Sequence, residues 1–344
     1  MKIGNVDLGE KPVLLAPMED VTDASFRLIC KEFGADMVYT EFISSDGLVR
    51  DAGKAIEKMH TWDEEAPVGI QIYGSFPDAM TEAARMAERA AEIAGGHGAD
   101  VIDINFGCPV SKIAGRGAGS GMMREPDKMV MITEMVAKAV SKPVTVKTRL
   151  GWDENSKIIV GLAERLQDAG AQAITIHGRT RCQMYKGEAD WTLIGEVMKN
   201  PRMRIPVIGN GDINSAARAA EAFSRYGVDG IMVGRASFGR PWIFREIKQY
   251  LATGRCPDPP GTLERVELAK RHLALSVRMK GLPRGVYEMR RHLSCYFKGL
   301  PDFKDTRIKL VTTDDPDELN AVLDGIGERW GDVSPGTSSS VYGL

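Results

Sequence analysis

Short apolar runs alternate with longer amphipathic stretches through the first 245 residues. The runs cover 13–16, 37–39, 68–72, 101–105, 144–147, 174–177, 206–210 and 231–233. Between them, segments such as 78–94, 127–140, 156–169 and 215–226 are rich in Ala, Glu, Met, Leu and Arg, with apolar residues returning every three or four positions. Near-continuous apolar runs of this length predict strands of a buried parallel sheet, and the three-to-four spacing predicts the helices that cover it. Glycine precedes several strands, in Gly34-Ala35-Asp36, Gly98-Ala99-Asp100, Gly170-Ala171 and Gly227-Val228-Asp229. There it can end a helix in the left-handed conformation and turn the chain into the next strand. Eight such units predict an α/β fold of the TIM (β/α)8 barrel type. The rival, a doubly wound open sheet, wants a glycine-rich dinucleotide fingerprint after the first strand, and that strand runs instead into Ala16-Pro17-Met18.

The strand signal stops after Arg240-Pro241-Trp242, and the Gly/Pro-rich stretch 254–261 reads as a linker. Beyond it, Leu263, Val266, Ala269, Leu273 and Val277 follow helical spacing. So do Val286, Met289, Leu293 and Phe297, then Leu319, Val322, Leu323 and Ile326 behind an Asp315-Pro316 start. A small all-α helical domain therefore follows the barrel. The expected division is a barrel over 1–245, a helical domain over 246–330, and a Ser/Gly-rich tail over 331–344 expected to be mobile.

Composition narrows the class. With 344 residues, 43% of them hydrophobic and 27% charged, the chain suits a soluble globular protein. No apolar run approaches the roughly 20 residues that span a bilayer, and residues 1–10 lack a signal-peptide core. The five cysteines are scattered without a Cys-x-x-Cys pair, against a disulfide framework or zinc site. A cytoplasmic, metal-free enzyme acting as a monomer is expected. The overall charge of −2 hides a basic segment: residues 245–310 carry 15 Lys/Arg against 7 Asp/Glu, a local excess of eight. Such an excess suits a polyanion-facing surface, although a solvated basic helix face would look the same.

Candidate chemistry collects at the strand ends, which share one mouth in this fold. They present Pro17 and Met18, Glu41, Gln71, Asn105 with Cys108, Lys147, His177, Asn210 with Asp212, and Gly234 with Arg235. Cys108 sits between Gly107 and Pro109, just past a strand, where a loop mounts a side chain on a rigid scaffold. Asn210-Gly211-Asp212 and Gly234-Arg235 follow the seventh and eighth strands and lead into helices, a setting that binds phosphate. A phosphorylated ligand with a flat ring is implied, with Lys147 and His177 beside the ring and Gln71 able to hydrogen-bond its edge. A lysine there would stabilise the charge of a reduced flavin.

In these motifs the chain resembles the tRNA-dihydrouridine synthases, the bacterial type B branch in particular. The resemblance lies in Ala16-Pro17-Met18 with Val21-Thr22-Asp23, and in Asp103-Ile104-Asn105-Phe106-Gly107-Cys108-Pro109. It continues in Thr145-Val146-Lys147, Thr175-Ile176-His177-Gly178-Arg179-Thr180-Arg181, Ile208-Gly209-Asn210-Gly211-Asp212-Ile213, Gly234-Arg235-Ala236 and Gly239-Arg240-Pro241-Trp242-Ile243-Phe244. It covers residues 12 to about 310; Gly121-Met122-Met123 departs from the family's usual Ala-Leu-Leu, and the match past Lys309 is weaker. The resemblance implies FMN held by Ala16, Pro17, Met18, Gln71, Lys147, His177, Asn210, Gly211, Asp212, Gly234 and Arg235. It also implies NADPH as reductant, Cys108 as proton donor, and Asn105 at the substrate. Arg179, Arg181 and Lys186, with the basic helical segment, would then hold the phosphates of tRNA. Uridine reduction needs a hydride at C6 and a proton at C5, and a thiol of ordinary pKa is protonated near neutrality. Two other functions suit parts of the pattern: a flavin barrel reducing a free pyrimidine or small enone, and a tRNA-binding or folding module with incidental flavin.

Overall fold

The computed structural model describes residues 1–333; most of the expected tail lies outside the described residues. Eight parallel strands form where the apolar runs predict them: β1 (Val13–Leu15), β2 (Val38–Tyr39), β3 (Val68–Tyr73), β4 (Val101–Asn105), β5 (Val144–Arg149), β6 (Ala173–His177), β7 (Val207–Asn210) and β8 (Gly230–Val233). Each pairs with the next in sequence, β8 pairs with β1, and a parallel bridge between Leu14 and Met37 closes the ring. Gly34, Gly98, Gly170 and Gly227 adopt φ of +96°, +88°, +103° and +70°, the left-handed turn expected of them before their strands.

Strand alternation divides the residues into two sets. Val13, Leu15, Ile70, Ile72, Ile102, Ile104, Val144, Val146, Ile174 and Ile176 pack outward in one core beneath the helices. Leu14, Met37, Tyr39, Val101, Ala173, Ile208 and Met232 pack in a second core with Ile3 and Leu8. Those two belong to an N-terminal segment whose antiparallel hairpin (Lys2–Ile3 with Val6–Asp7) was not evident in the sequence. Further along the strands the same inward parity turns polar. Gln71, Asp103 and Thr145 are register neighbours, and Asn105, Lys147, His177 and Asn210 follow one step higher. The barrel is thus apolar at one end and polar at its mouth.

The covering helices include α1 (Ala24–Glu32), α2 (Pro77–Glu88), α3 (Pro126–Ala139), α4 (Ile159–Asp168), α5 (Thr192–Lys199), α6 (Ala216–Tyr226) and α7 (Ile243–Thr253). Ile243, Phe244 and Ile247 of α7 join the barrel core, so the outer layer runs past residue 245. Four helices follow: α8 (Thr262–Lys280), α9 (Arg284–Tyr296), α10 (Lys304–Thr312) and α11 (Pro316–Trp330). Their core, including Val266, Leu273, Met289, Leu293, Phe297, Leu323 and Trp330, also takes in Ile29 of α1 and Trp242. The helix α10 had no sequence signal, because only Leu310 of it is buried. Among the described residues, no helix is long and apolar enough to cross a membrane.

A polar seam joins the two parts. Asp23 caps α1 by accepting from Phe26 N at 2.9 Å, accepts from Ser25 Oγ at 2.6 Å, and pairs with Lys280 of α8. Ser25 Oγ lies 3.2 Å from Nε2 of His272, whose Nδ1 is 2.9 Å from the Tyr296 hydroxyl. The His292 ring lies 4.6 Å from Phe26, 4.7 Å from His272 and 5.1 Å from Phe238. Burial pulls His292 down to about 4, against the pull of Asp23, and takes His272 well below the ordinary imidazole value. Both rings are neutral at pH 7. Below about pH 6.5 the unfolded chain takes up protons that the buried rings refuse, so stability falls from there to about pH 4. His292 by itself should cost roughly 2–3 kcal/mol between pH 7 and 4.5. Denaturant unfolding at the two pH values, compared with His292→Phe, measures this; equal pH sensitivity in both proteins would refute it.

Candidate active site

Two groups of side chains meet at the mouth. The first is built on β3 and β4. Asn105, the last residue of β4, turns its Oδ1 to accept from the backbone N–H of Gly107 (2.9 Å) and Cys108 (2.8 Å). Its Nδ2 donates to Gln71 Oε1 at 2.8 Å, and Gln71 Nε2 donates to Asp103 at 2.6 Å. The carbonyl of Cys108 accepts from Ser120 N (3.1 Å) and Ser120 Oγ (2.8 Å), which ties the thiol loop to the glycine-rich segment beyond it. That close approach needs a glycine at 119: with φ +54°, a Cβ there would lie 3.0 Å from the Cys108 carbonyl oxygen. Cys108 is 8% exposed, and burial pushes its thiol above the ordinary value.

The second group spans β5 to β8 and β1. Lys147, beside Asn105 in register, places Nζ 3.3 Å from Asn210 Oδ1, and Asn210 Nδ2 donates to Met232 O at 2.7 Å. Burial, with Arg149 close by, draws the lysine down to about 8. His177 is buried and held neutral by burial and by the cations around it. A Cβ on Gly211, at φ +118°, would come within 2.9 Å of the His177 ring, so glycine lets the loop close over the imidazole. Ala16 and Met18 lie beside Gly234, at 3.6 and 3.7 Å from where its Cβ would stand.

Four of the expected site residues are held by protein partners in this geometry. Arg179, expected at a substrate phosphate, is 2% exposed and grips Asp212 through two bonds of 2.8 and 2.7 Å, with Lys186 O and Gly187 O as further acceptors. Burial favours the acid form of Asp212, but the guanidinium groups of Arg179 and Arg235 and the Ala189 amide hold it below the ordinary range. This carboxylate therefore orders two arginines, Arg179 and Arg235. Gln71 is 0% exposed, with both ends of its amide bonded to protein. Asn105 likewise supports the thiol loop. Arg181 sits apart at the rim, 4.8 Å over the Trp152 ring and 3.4 Å from Ser111 Oγ.

Arg149 escaped the sequence reading. Two residues past Lys147 on the same face of β5, it donates from Nε to Gly107 O (2.7 Å) and from Nη1 to Thr180 O (3.0 Å) and Met184 O (2.8 Å). It ties the loop after β4 to the loop after β6. The only signal was the two-residue spacing from Lys147. Beside the mouth lies a cavity of about 550 Å³ between the ends of β2 and β3 and helix α9, lined by Glu19, Glu41, Phe42, Tyr73, Tyr287 and Arg291 among others.

The basic excess is largely compensated once folded. Arg271, Arg284 and Arg291 pair with Glu32, Glu57 and Asp20 of the barrel, while Lys270 and Arg290 pair with Asp324 and Asp314. Lys298 and the α10 residues Lys304, Arg307 and Lys309 are exposed, with no carboxylate in ion-pair range among the described residues.

Fold and mouth together place the chain among the (β/α)8-barrel enzymes, whose reactive groups gather at the carboxyl ends of the strands. The family model for dihydrouridine synthases (Dus) matches residues 14–327. The chain is 41% identical over 319 residues to a probable tRNA-dihydrouridine synthase of Rickettsia prowazekii, covering 92% of this chain and 94% of that one. It is 39% identical over 317 residues to tRNA-dihydrouridine synthase B of Xanthomonas campestris pv. campestris, covering 92% of each. The chain belongs to the dihydrouridine synthase family. Among solved structures, histamine dehydrogenase from Rhizobium sp. 4-9 superposes with a TM-score of 0.57 at 12% identity, over 96% of this chain and 64% of that one. A morphinone reductase variant gives 0.50 at 11%, over 76% and 91%. At such identities the likeness concerns the fold.

Proposed function

We propose that this chain reduces the 5,6-double bond of uridine in tRNA, with FMN as the bound cofactor and NADPH as the reductant. The observation that carries the reading is the buried, loop-mounted Cys108 thiol at the same barrel mouth as Lys147 and the two glycine loops. The residues fit a flavin phosphate and ring. Arg235 brings a cation oriented by Asp212 to the loop after β8, and the Lys147 ammonium at the mouth would partner the charge of a reduced ring. Bound there, FMN would supply the hydride that adds at C6.

The protein's own groups complete the reaction. Burial keeps the Cys108 thiol protonated at neutral pH, so it can deliver a proton to C5 and recover one from solvent. A neutral His177 can donate a hydrogen bond without competing as a strong acid. A base inside folded RNA must be unstacked to reach the mouth, and the cavity beside β2 and β3 offers space there. Exposed cations of α10 would meet phosphates on the helical side.

Unmodified tRNA incubated with the flavin-loaded protein and NADPH should gain dihydrouridine, detected by mass spectrometry of the nucleosides. Equal reduction of free uridine would favour the small-pyrimidine reductase instead. Binding of tRNA without any reduction would leave only the RNA-binding module.

A further inference from the structure

We infer that Asp103 is a positioning residue for Cys108, acting through Gln71 and Asn105 to hold the loop that presents the thiol. The inference rests on the reading of Cys108 as the acid.

The bonds from Asp103 to the loop run in one direction. An ionised carboxylate can only accept, and Asp103 accepts from Thr145 Oγ1 at 2.5 Å and from Gln71 Nε2 at 2.6 Å. The nitrogen end of the Gln71 amide is thereby turned toward Asp103, leaving Oε1 to accept from Asn105 Nδ2 at 2.8 Å. The oxygen of Asn105 then faces the backbone N–H groups of Gly107 and Cys108. Backbone amides can only donate, so both ends of the relay have fixed polarity. Reversing either side-chain amide would set donor against donor and acceptor against acceptor. Asp103, Gln71 and Asn105 are 1%, 0% and 5% exposed, so water offers little relief to a broken link.

A buried carboxylate is costly to fold around. Burial raises Asp103 to about 6 against the hydrogen bonds of Gln71 and Thr145 and the pull of Lys147. Packing alone would be served by an apolar residue. What an apolar residue cannot do is polarise the relay, and that is the use the geometry points to.

The test compares Asp103→Asn with Asp103→Leu in the flavin-loaded enzyme. An amide at 103 can still accept from Gln71 while donating to Thr145, so Asp103→Asn should keep kcat within about threefold. Leucine removes the acceptor and should lower kcat for tRNA about a hundredfold, the scale of a small misplacement of a reacting group, with KM and flavin content within about twofold. Hydrogen–deuterium exchange of the peptide holding Gly107 and Cys108 should rise in the leucine variant alone.

If Asp103→Leu does not fold, a polarity swap gives the same answer. Asn105→Asp should open the loop to exchange, because its carboxylate cannot donate to Gln71. Adding Asp103→Asn should close it again, since the whole relay can then run with Gln71 reversed. Exchange unchanged by Asp103→Leu, or left open in the double variant, overturns the relay. Loss of kcat in Asp103→Asn equal to that in Asp103→Leu overturns it too. If the wild-type chain leaves tRNA unreduced, the proposed function falls while the exchange results still decide the relay.

Discussion

Cys108→Ala is expected to retain flavin and accept electrons from NADPH while forming dihydrouridine in tRNA about 10²–10⁴-fold more slowly, the usual contribution of a positioned acid. The substitution removes one sulfur from a loop whose shape does not depend on it. Asn105 holds the loop through backbone amides, Ser120 holds it through the Cys108 carbonyl, and Arg149 holds it through the Gly107 carbonyl. Alanine leaves all of those bonds in place. Lys147 and Asn210 lie on other strands and Arg235 follows β8, so under the proposed assignment cofactor content should stay constant. Stopped-flow reduction of the flavin by NADPH, followed by reoxidation with tRNA, separates the halves. Normal reoxidation in the alanine variant would remove Cys108 from the role of acid.

Arg149→Met is expected to lower stability by about 3 kcal/mol and to slow tRNA reduction as well. The guanidinium, 2% exposed, serves three backbone carbonyls on two loops. Charge-assisted bonds of this kind contribute about 1.5–3 kcal/mol each. Taking a buried cation away returns part of that total, because its desolvation cost is also removed. Burial draws Arg149 down to about 10, so it is charged at neutral pH and donates at full strength. Lysine should not restore the protein, since a single ammonium cannot reproduce the guanidinium fork toward separated acceptors. Urea unfolding measures the loss, and a change below about 1 kcal/mol would contradict the loop-tying role.

Much of this was legible in the linear chain. The eight strands appeared as apolar runs, and their two-residue alternation already separates Ile102 and Ile104 from Asp103 and Asn105. The positive-φ glycines were visible for a similar reason, since a left-handed turn is a demand of a single residue. Within the site, His177 and Asn210 end strands, Lys147 lies two residues before the end of β5, and Cys108 lies three past β4. All four could therefore be placed at the mouth, where strand ends in a barrel converge.

Other assignments depended on partners far away in sequence. Arg179 and Arg181 look alike two positions apart, yet one is buried against Asp212 and the other rests on Trp152 at the rim. The basic segment looked like a free polyanion surface until Glu32, Glu57 and Asp20 came to it from more than two hundred residues away. Gln71 and Asn105 seemed available to ligands, and folding turned them toward each other. Arg149 carried no sign of its three acceptors. Periodicity and backbone sterics act over a few residues, so the fold class, the strand ends and the thiol's place were already present in the chain. Which charges are neutralised, which amides remain open and what holds the thiol still depend on contacts between strands and helices that only the closed barrel brings together.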